Sequence, residues 1–410
     1  MSANTDRGVV IVGGGHAGGT AAALLRQYGY EGPVILIGDE PLIPYQRPPL
    51  SKAWLKGEAD GDSLALRPLD FYDEQGIELR LDVTATAIDR THRTVALSDG
   101  SSLAYEHLIL ATGARARTLD VPGADLVGVH VLRTAADAES IKAQLGEGRT
   151  LAVVGGGYVG LEVAASARAL GSEVVVLERE PRLLARVACD VLSTFFQTYH
   201  QDRGVRFELA ADVVGFTGDG PRVSGVTLAD GRTLACDVVV VGVGAIPNDN
   251  LATQAGLDIE GGVLVDLEAR TSDPAIFAIG DVTRRPMPIY DRLFRMESVP
   301  NALEQAKQAA AAITGRPAPA GETPWQWSDQ YDLKLQIAGY PFDTDRIVVR
   351  GDPETASFAV FHLSGDKVQA VEAINAPPEF MMGKKLIGER RAVDVTKLAD
   401  RAVSMKEVGA

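Results

Sequence analysis

Val9-Val-Ile-Val-Gly13-Gly-Gly15-His16-Ala17-Gly18 runs four apolar residues straight into a glycine trio with the spacing Gly13-x-Gly15-x-x-Gly18. An alanine-rich segment of helical character follows from Ala21 to Tyr28. Val34-Ile-Leu-Ile37 then reads as a second buried strand, ending at Gly38-Asp39-Glu40. Strand, glycine turn, helix, strand, acid is the order in which a dinucleotide is held. Gly13 makes the tight turn, and Gly15 lets the backbone approach a pyrophosphate. Gly18 lets helix and strand pack closely, and the helix N-terminus faces the phosphates. Asp39 follows Gly18 by 21 residues, near the ~20 at which a carboxylate takes the ribose hydroxyls. A glycine trio alone is also an ordinary tight turn; the flanking strands and the acid favour the nucleotide.

The same grammar returns at Leu151-Ala-Val-Val-Gly155-Gly-Gly157-Tyr158-Val159-Gly160-Leu-Glu162. Helix-forming residues follow from Val163 to Leu170, then Glu173-Val-Val-Val-Leu177-Glu178, with Glu178 placed 18 residues after Gly160. Two complete fingerprints in one chain imply two nucleotides and electron transfer between them. Glu178 is suited to a ribose 2′-hydroxyl and repels a 2′-phosphate, so NADH is expected over NADPH. Arg179 and Arg182 stand beside it; an arginine there either accommodates a 2′-phosphate or is simply solvated.

Between and beyond the motifs the chain reads in order. Pro41-Leu-Ile-Pro44-Tyr-Gln-Arg47-Pro48-Pro49-Leu-Ser-Lys52 has too many prolines for a strand interior or a long helix before Leu50. It is either a rigid surface loop or a loop that sets Arg47 and Lys52 against a cofactor. Residues 63–104 read as a small antiparallel excursion. His107-Leu-Ile-Leu110-Ala-Thr112-Gly113 is a buried strand expected to rejoin the first parallel sheet. Cys236-Asp-Val-Val-Val-Val-Gly242-Val-Gly244 is another buried strand, closing the second nucleotide domain. Ala275-Ile-Phe-Ala-Ile279-Gly280-Asp281 is a strand with an acid at its tip, either a turn cap or a partner for a sugar-like chain. A long helix runs to Ile313, and Gly315-Arg-Pro-Ala-Pro-Ala-Gly321 is a linker. Trp325-Gln-Trp327 opens a small α+β C-terminal domain. Its two tryptophans point the same way on a strand, toward the core or toward a partner. The expected fold class is α/β with two Rossmann-like dinucleotide-binding domains. A discontinuous first domain covers 1–117 and 247–320, a second 118–246, and the C-terminal domain 321–410.

Composition bounds the function. The chain has 410 residues, 46% of them hydrophobic and 23% charged, enough for two or three packed domains. A net charge of −15 argues against nucleic-acid binding. Cys189 and Cys236 form neither a C-x-x-C pair nor a ligand cluster in sequence, so no metal site is expected. The opening residues carry no signal-like apolar run, and no stretch approaches the ~20 apolar residues of a membrane helix. A cytoplasmic, reduced setting and no membrane association are expected.

These residues resemble the FAD-dependent, NADH-oxidising ferredoxin reductases of oxygenase systems. That group is the putidaredoxin reductase and biphenyl-dioxygenase reductase type, within the glutathione-reductase-like fold. The resemblance spans essentially the whole chain. It rests on Val12-Gly-Gly-Gly-His-Ala-Gly18, Arg47-Pro-Pro-Leu-Ser-Lys52, Leu110-Ala-Thr-Gly113, Gly155-Gly-Gly-Tyr-Val-Gly-Leu-Glu162, Ala278-Ile-Gly-Asp281, Glu297-Ser-Val-Pro-Asn-Ala302 and Trp325-Gln-Trp-Ser-Asp-Gln-Tyr331. The Pro-Pro-Leu-Ser-Lys and Ser-Val-Pro-Asn-Ala blocks are fairly specific to the group; the glycine motifs are not.

The resemblance implies FAD on the first motif, held by Gly13, Gly15, His16, Ala17, Gly18, Asp39, Arg47, Lys52, Ala85, Thr112, Gly113, Arg133, Asp281 and Val299. It implies NADH on the second, held by Gly155, Gly157, Tyr158, Val159, Gly160, Glu178, Arg186 and Gly244. Glu162 matches an acid beside the nicotinamide pocket, paired with Lys52 and close to the flavin, and these two are the expected catalytic pair. Trp327 matches a position at the cofactor and at the face where a 2Fe–2S ferredoxin docks, with Lys307 and Lys334. Because the chain is acidic, a basic island of Lys307, Arg284, Arg285 and Lys334 is expected there. Disulfide reductases of this fold carry cysteines after the first motif, and residues 40–60 have none. Electrons are therefore expected to leave from the flavin, with a monomer or weak homodimer as the assembly. An NADH oxidase or a rubredoxin or quinone reductase is the alternative of the same fold. A redox-controlled binding protein resembling apoptosis-inducing factor is disfavoured by the missing targeting segment and basic surface.

Overall fold

A computed structural model describes residues 7–317 and 319–409. The chain divides into two compact units, each assembled from separated segments. The first comprises Met1–Arg47, Gly61–Arg115 and Ile246–Pro324; the second comprises Pro48–Asp60, Ala116–Ala245 and Trp325–Ala410.

The first unit is built on a sheet whose parallel part orders Ile77–Arg80, Val34–Ile37, Gly8–Val12, Ser102–Leu110 and Ile276–Ala278. Strands of Val, Ile and Leu buried on both faces demand cover on both sides. On one side Val9, Ile11, Leu36 and Ile109 pack with helices His16–Gln27 and Val299–Ile313. On the other, Val10, Val12, Leu108 and Leu110 pack with Val95, Leu97 and Val263. Ala85–Asp89 and Thr94–Leu97 form the expected antiparallel excursion, continuing from Ser102–Leu110. The first glycine-motif helix begins at His16, earlier than its alanine-rich part suggests, because the turn of Gly13–Gly15 feeds directly into it. Ser298 caps the long helix, its Oγ accepting from the Asn301 N–H at 3.2 Å.

The second unit repeats the plan with a five-stranded parallel sheet. Its order is Val205–Leu209, Glu173–Glu178, Thr150–Val154, Val238–Val241 and Val129–Val131. Helices Tyr158–Ala169 and Asp190–Gln201 belong to this unit. Its C-terminal segment forms a five-stranded antiparallel sheet, ordered Trp325–Gln330, Leu333–Gly339, Lys367–Ile374, Ser357–Ser364 and Arg346–Asp352. Leu333, Leu335, Phe358, Val360 and Ile374 of that sheet share one hydrophobic core with Leu161, Leu192, Phe196 and Leu55. The segment 48–60 is therefore part of this core: Leu55 is fully buried in it. No helix among the described residues is long and apolar enough to cross a membrane.

Candidate functional site

In the first unit the glycines divide by role. A Cβ on Gly13 would sit 2.2 Å from the Ala111 carbonyl oxygen, and Gly13 has φ +120°. A Cβ on Gly18 would sit 2.0 Å from the Gly13 carbonyl oxygen. Both are glycine because the fold leaves no room. Gly15 differs: its nearest neighbour to such a Cβ is Arg47 Nε at 3.9 Å, so the space there is kept for something else. Gly15 is the N-cap of the helix and has no side chain to cap it. Open space beside the N–H groups of a helix terminus fits a pyrophosphate.

Around this cradle, Arg47 donates to Glu40 Oε1 at 2.8 Å and to the Tyr45 hydroxyl at 3.1 Å. Tyr45 in turn donates to Glu40 Oε2 at 2.6 Å. Glu40 is thus engaged within the loop, while Asp39 is exposed. Thr112 and Gly113 are fixed by Asn248, whose side-chain amide donates to the Thr112 carbonyl at 2.9 Å and whose N–H donates to the Gly113 carbonyl at 2.9 Å. Asp281 lies in a single turn, Gly280–Val282, and is half-buried. The preceding Gly280 N–H is held by Gln305 Oε1 at 2.8 Å. Val299 opens its helix and is half-buried. Ala85 is buried in the core, so only its backbone is available to a cofactor. His16 and Ala17 are the first two residues of the glycine-motif helix.

The second unit holds the matching cradle. A Cβ on Gly155, at φ +109°, would lie 2.5 Å from the Gly242 carbonyl oxygen, and one on Gly160 2.2 Å from the Gly155 carbonyl oxygen. Gly157 and Gly244 have nothing within 4 Å. Glu178 Oε2 accepts from the Gly156 N–H at 2.7 Å and Oε1 from the Glu180 N–H at 2.9 Å, which fixes the acid at the glycine turn. Arg182 is committed elsewhere. It donates to the carbonyls of Ala188 and Ala185 and to Ser193 Oγ, and pairs with Asp190 at 2.9 Å. Arg179 is exposed, 3.6 Å from Glu180. Arg186 and Val159 are exposed, and the Tyr158 hydroxyl donates to the Val187 carbonyl. Burial pushes the Tyr158 phenol far up. Arg133 gives its backbone N–H to Asp137 at 3.0 Å, next to the cap of a helix.

Lys52 and Glu162 do meet. The ammonium lies 2.7 Å from Glu162 Oε2, with Glu162 only 4% exposed. Ser51 Oγ donates to the same oxygen at 2.5 Å, and Ser328 Oγ to Oε1 at 2.6 Å. The chain of contacts continues. Gln330 Nε2 donates to Ser328 Oγ at 3.1 Å, and Gln330 Oε1 is 2.8 Å from His200 Nε2. The Tyr331 hydroxyl is 3.3 Å from His200 Nδ1. Burial pulls His200 down to about 4, so it is neutral, with Nε2–H donating to Gln330 and Nδ1 accepting from Tyr331. Sequence reading missed Ser51, Ser328, Gln330 and His200. The one available signal was a polar residue, Ser328, inside a strand flanked by aromatics.

Trp327 sits on the same strand as Ser328 and is half-buried, its ring centroid 5.6 Å from that of Trp325. Trp325 packs on Phe380 with Lys384 over its ring. The basic island needs correction. Arg285 is 5% exposed, bonded to Asn301 and paired with Glu304 at 3.2 Å, so it cannot line a surface. Arg284 is paired with Glu260 at 3.1 Å and Lys307 lies 3.6 Å from Glu322. Lys334 is exposed.

Comparison with known proteins covers both cradles with one family and the C-terminal segment with another. The family described as pyridine nucleotide-disulphide oxidoreductase matches residues 7–306, and the reductase C-terminal family matches residues 325–409. A probable ferredoxin reductase of Castellaniella defragrans is 51% identical over 98% of this chain and 98% of its own. Rhodocoxin reductase of Rhodococcus erythropolis is 43% identical over 97% of this chain and 93% of its own. The solved covalent complex of putidaredoxin reductase with putidaredoxin superposes with a TM-score of 0.96 at 43% identity, covering 99% of this chain and 98% of that one.

Proposed function

The chain belongs to the pyridine nucleotide-disulphide oxidoreductase family, and from that premise we propose that it is an NADH-dependent, FAD-containing reductase of a 2Fe–2S ferredoxin that feeds an oxygenase. The observation that carries the reading is the pair of glycine cradles, each with one glycine position left open beside a helix N-terminus. FAD, when bound, accepts an electron pair from NADH and releases it singly.

The residues proposed to hold FAD are Gly13, Gly15, Gly18, Asp39, Thr112, Gly113 and Asp281, in the segments 1–117 and 247–320. Those proposed for NADH are Gly155, Gly157, Gly160, Glu178 and Gly244, in 118–246, with 321–410 as a third domain. Glu178 supports NADH, because its carboxylate stands at the glycine turn and Arg182 is spent on the following loop. Lys52 supplies a cation whose position is set by Glu162, and a fixed cation is what developing negative charge on a reduced ring requires. The absence of cysteine in residues 40–60 supports direct transfer from the flavin to an external acceptor.

For the partner, Lys307, Trp327 and Lys334 are the proposed docking residues. Arg285 is withdrawn from that set because it is buried. The test is anaerobic: purified protein is mixed with NADH and cytochrome c, with and without a 2Fe–2S ferredoxin. Bleaching of the flavin with ferredoxin-dependent cytochrome reduction is expected. Bleaching that ferredoxin does not extend, with rapid oxygen uptake in air, would replace the reductase by an oxidase. Charge reversal at Lys334 is expected to raise the KM for ferredoxin without changing that for NADH.

A further inference from the structure

Cys189, His362 and Glu372 bring a sulfur, a nitrogen and an oxygen to within 4.8 Å of one another. His362 and Glu372 lie on adjacent antiparallel strands. The register sets His362 opposite Ala370 and Val360 opposite Glu372, so the two are diagonal neighbours on one face. That face is otherwise apolar: Phe358, Val360 and Ile374 belong to the core shared with Leu192 and Phe196. His362 Nε2 is 2.7 Å from Glu372 Oε2, and the Cys189 sulfur lies within 4.8 Å of both ligand atoms. Cys189 is the N-cap of helix Asp190–Gln201. His362 and Glu372 are 5% and 3% exposed, whereas Cys189 keeps an open side. A buried carboxylate carries a desolvation cost that an imidazole and a thiol only partly offset.

We infer that Cys189, His362 and Glu372 form a binding site for a divalent cation of the zinc class. The donor set is one thiolate sulfur, one imidazole nitrogen and one carboxylate oxygen, the types that zinc prefers, with a fourth position left for water. Charge closes. A thiolate and a carboxylate with a neutral imidazole carry two negative charges, which the dication cancels, leaving a neutral complex in an apolar interior. On binding, the sulfur exchanges its proton for the metal and that proton goes to solvent. The imidazole stays neutral: the proton that Nε2 carries toward Glu372 Oε2 in the metal-free site passes to Nδ1 as Nε2 takes the metal.

The site has a mechanical consequence for the second glycine loop. Leu184 N–H donates to the Gly156 carbonyl at 3.0 Å, and the Val187 carbonyl accepts from Tyr158 at 3.3 Å. Both residues lie in the short segment that ends at Cys189. A metal on Cys189 anchors this segment to the C-terminal sheet and so steadies the loop. This consequence rests on the NADH reading; the metal site does not.

The test uses the purified, flavin-loaded full chain. Zinc ion is titrated in competition with a chromophoric chelator, and bound metal is counted by elemental analysis. One equivalent is expected, with affinity falling at least about 100-fold in Cys189→Ala and in His362→Gln, and unchanged in Cys236→Ala. A second measurement needs no variant. In the wild-type protein, zinc is expected to slow alkylation of Cys189 at least about 10-fold, read by mass spectrometry against Cys236 as internal reference. No stoichiometric uptake, uptake that survives both ligand variants, or alkylation of Cys189 indifferent to zinc would each overturn the site. If zinc binds as expected while the KM for NADH is the same with and without it, the metal site stands and only its effect on the loop is removed.

Discussion

Ser328 Oγ donates to Glu162 Oε1 at 2.6 Å across 166 residues of sequence, on the opposite oxygen of the carboxylate from the one that holds Lys52. The carboxylate is therefore gripped at both ends, and its two partners do different work. Ser328→Ala leaves a buried oxygen without its donor and is expected to cost about 1–3 kcal/mol of stability, with flavin reduction by NADH slowed only modestly. Lys52→Ala leaves that grip intact but removes the cation, and is expected to slow flavin reduction about 10–100-fold. Thermal unfolding and stopped-flow bleaching, measured on both variants, separate the two roles. Equal effects on rate would remove the distinction.

The glycine positions offer a cleaner separation of folding from binding. Gly160→Ala places a Cβ against the Gly155 backbone and is expected to destabilise the protein by about 2 kcal/mol or more. Gly157→Ala meets no protein atom within 4 Å, so its stability is expected within about 0.5 kcal/mol of wild type. Its KM for NADH is nevertheless expected to rise about tenfold or more, since the added methyl would occupy the space proposed for the pyrophosphate. Chemical denaturation and steady-state kinetics provide the check.

Glu178 is the residue proposed to set dinucleotide choice, through its carboxylate. Glu178→Gln keeps the size and one acceptor but removes the charge that repels a 2′-phosphate. The KM for NADH is expected to rise about 10-fold or more, for the loss of a charged hydrogen bond, and NADPH turnover to increase. An unaltered NADH to NADPH preference would mean that selection lies elsewhere in the loop.

His200 links stability to acid. Its folded value of about 4 lies below the ordinary 6.5, so the native state prefers the neutral ring. That contribution is fully present above pH 6.5 and is lost as pH falls toward 4. Its size is on the order of 3 kcal/mol. His200→Gln is expected to be less stable than wild type at pH 7.5 and to show a flatter decline between pH 6.5 and 4, as measured by urea denaturation across that range.

What could be read from the sequence was what is written locally in backbone chemistry. Gly13, Gly18, Gly155 and Gly160 announce themselves because a Cβ would strike a carbonyl oxygen a few residues or one strand away. Apolar runs such as Val34–Ile37 announce strands covered on both faces. Arg285 went astray because a cation in an acidic chain reads as surface, and nothing nearby in sequence reveals that Asn301 and Glu304 meet it inside. The Ser328–Gln330–His200 connection and the Cys189–His362–Glu372 cluster bring residues of helix Asp190–Gln201 and its N-cap to strands more than a hundred positions away, through tertiary packing rather than motif. Comparing Cys189 only with Cys236 hid its real neighbours.

The segment Pro48–Asp60 leaves the fold of the residues that precede it and shares its core with the later segments, through Leu55 and the Lys52–Glu162 pair. This bears on recombination. A chimera that exchanges the first nucleotide-binding module as one contiguous block would carry Lys52 into a host whose Glu162 and Leu161 evolved beside another sequence. Crossovers placed after Arg47 and before Gly61 keep the lysine with its carboxylate. Homologues shuffled by that rule exchange their first units without splitting the pair.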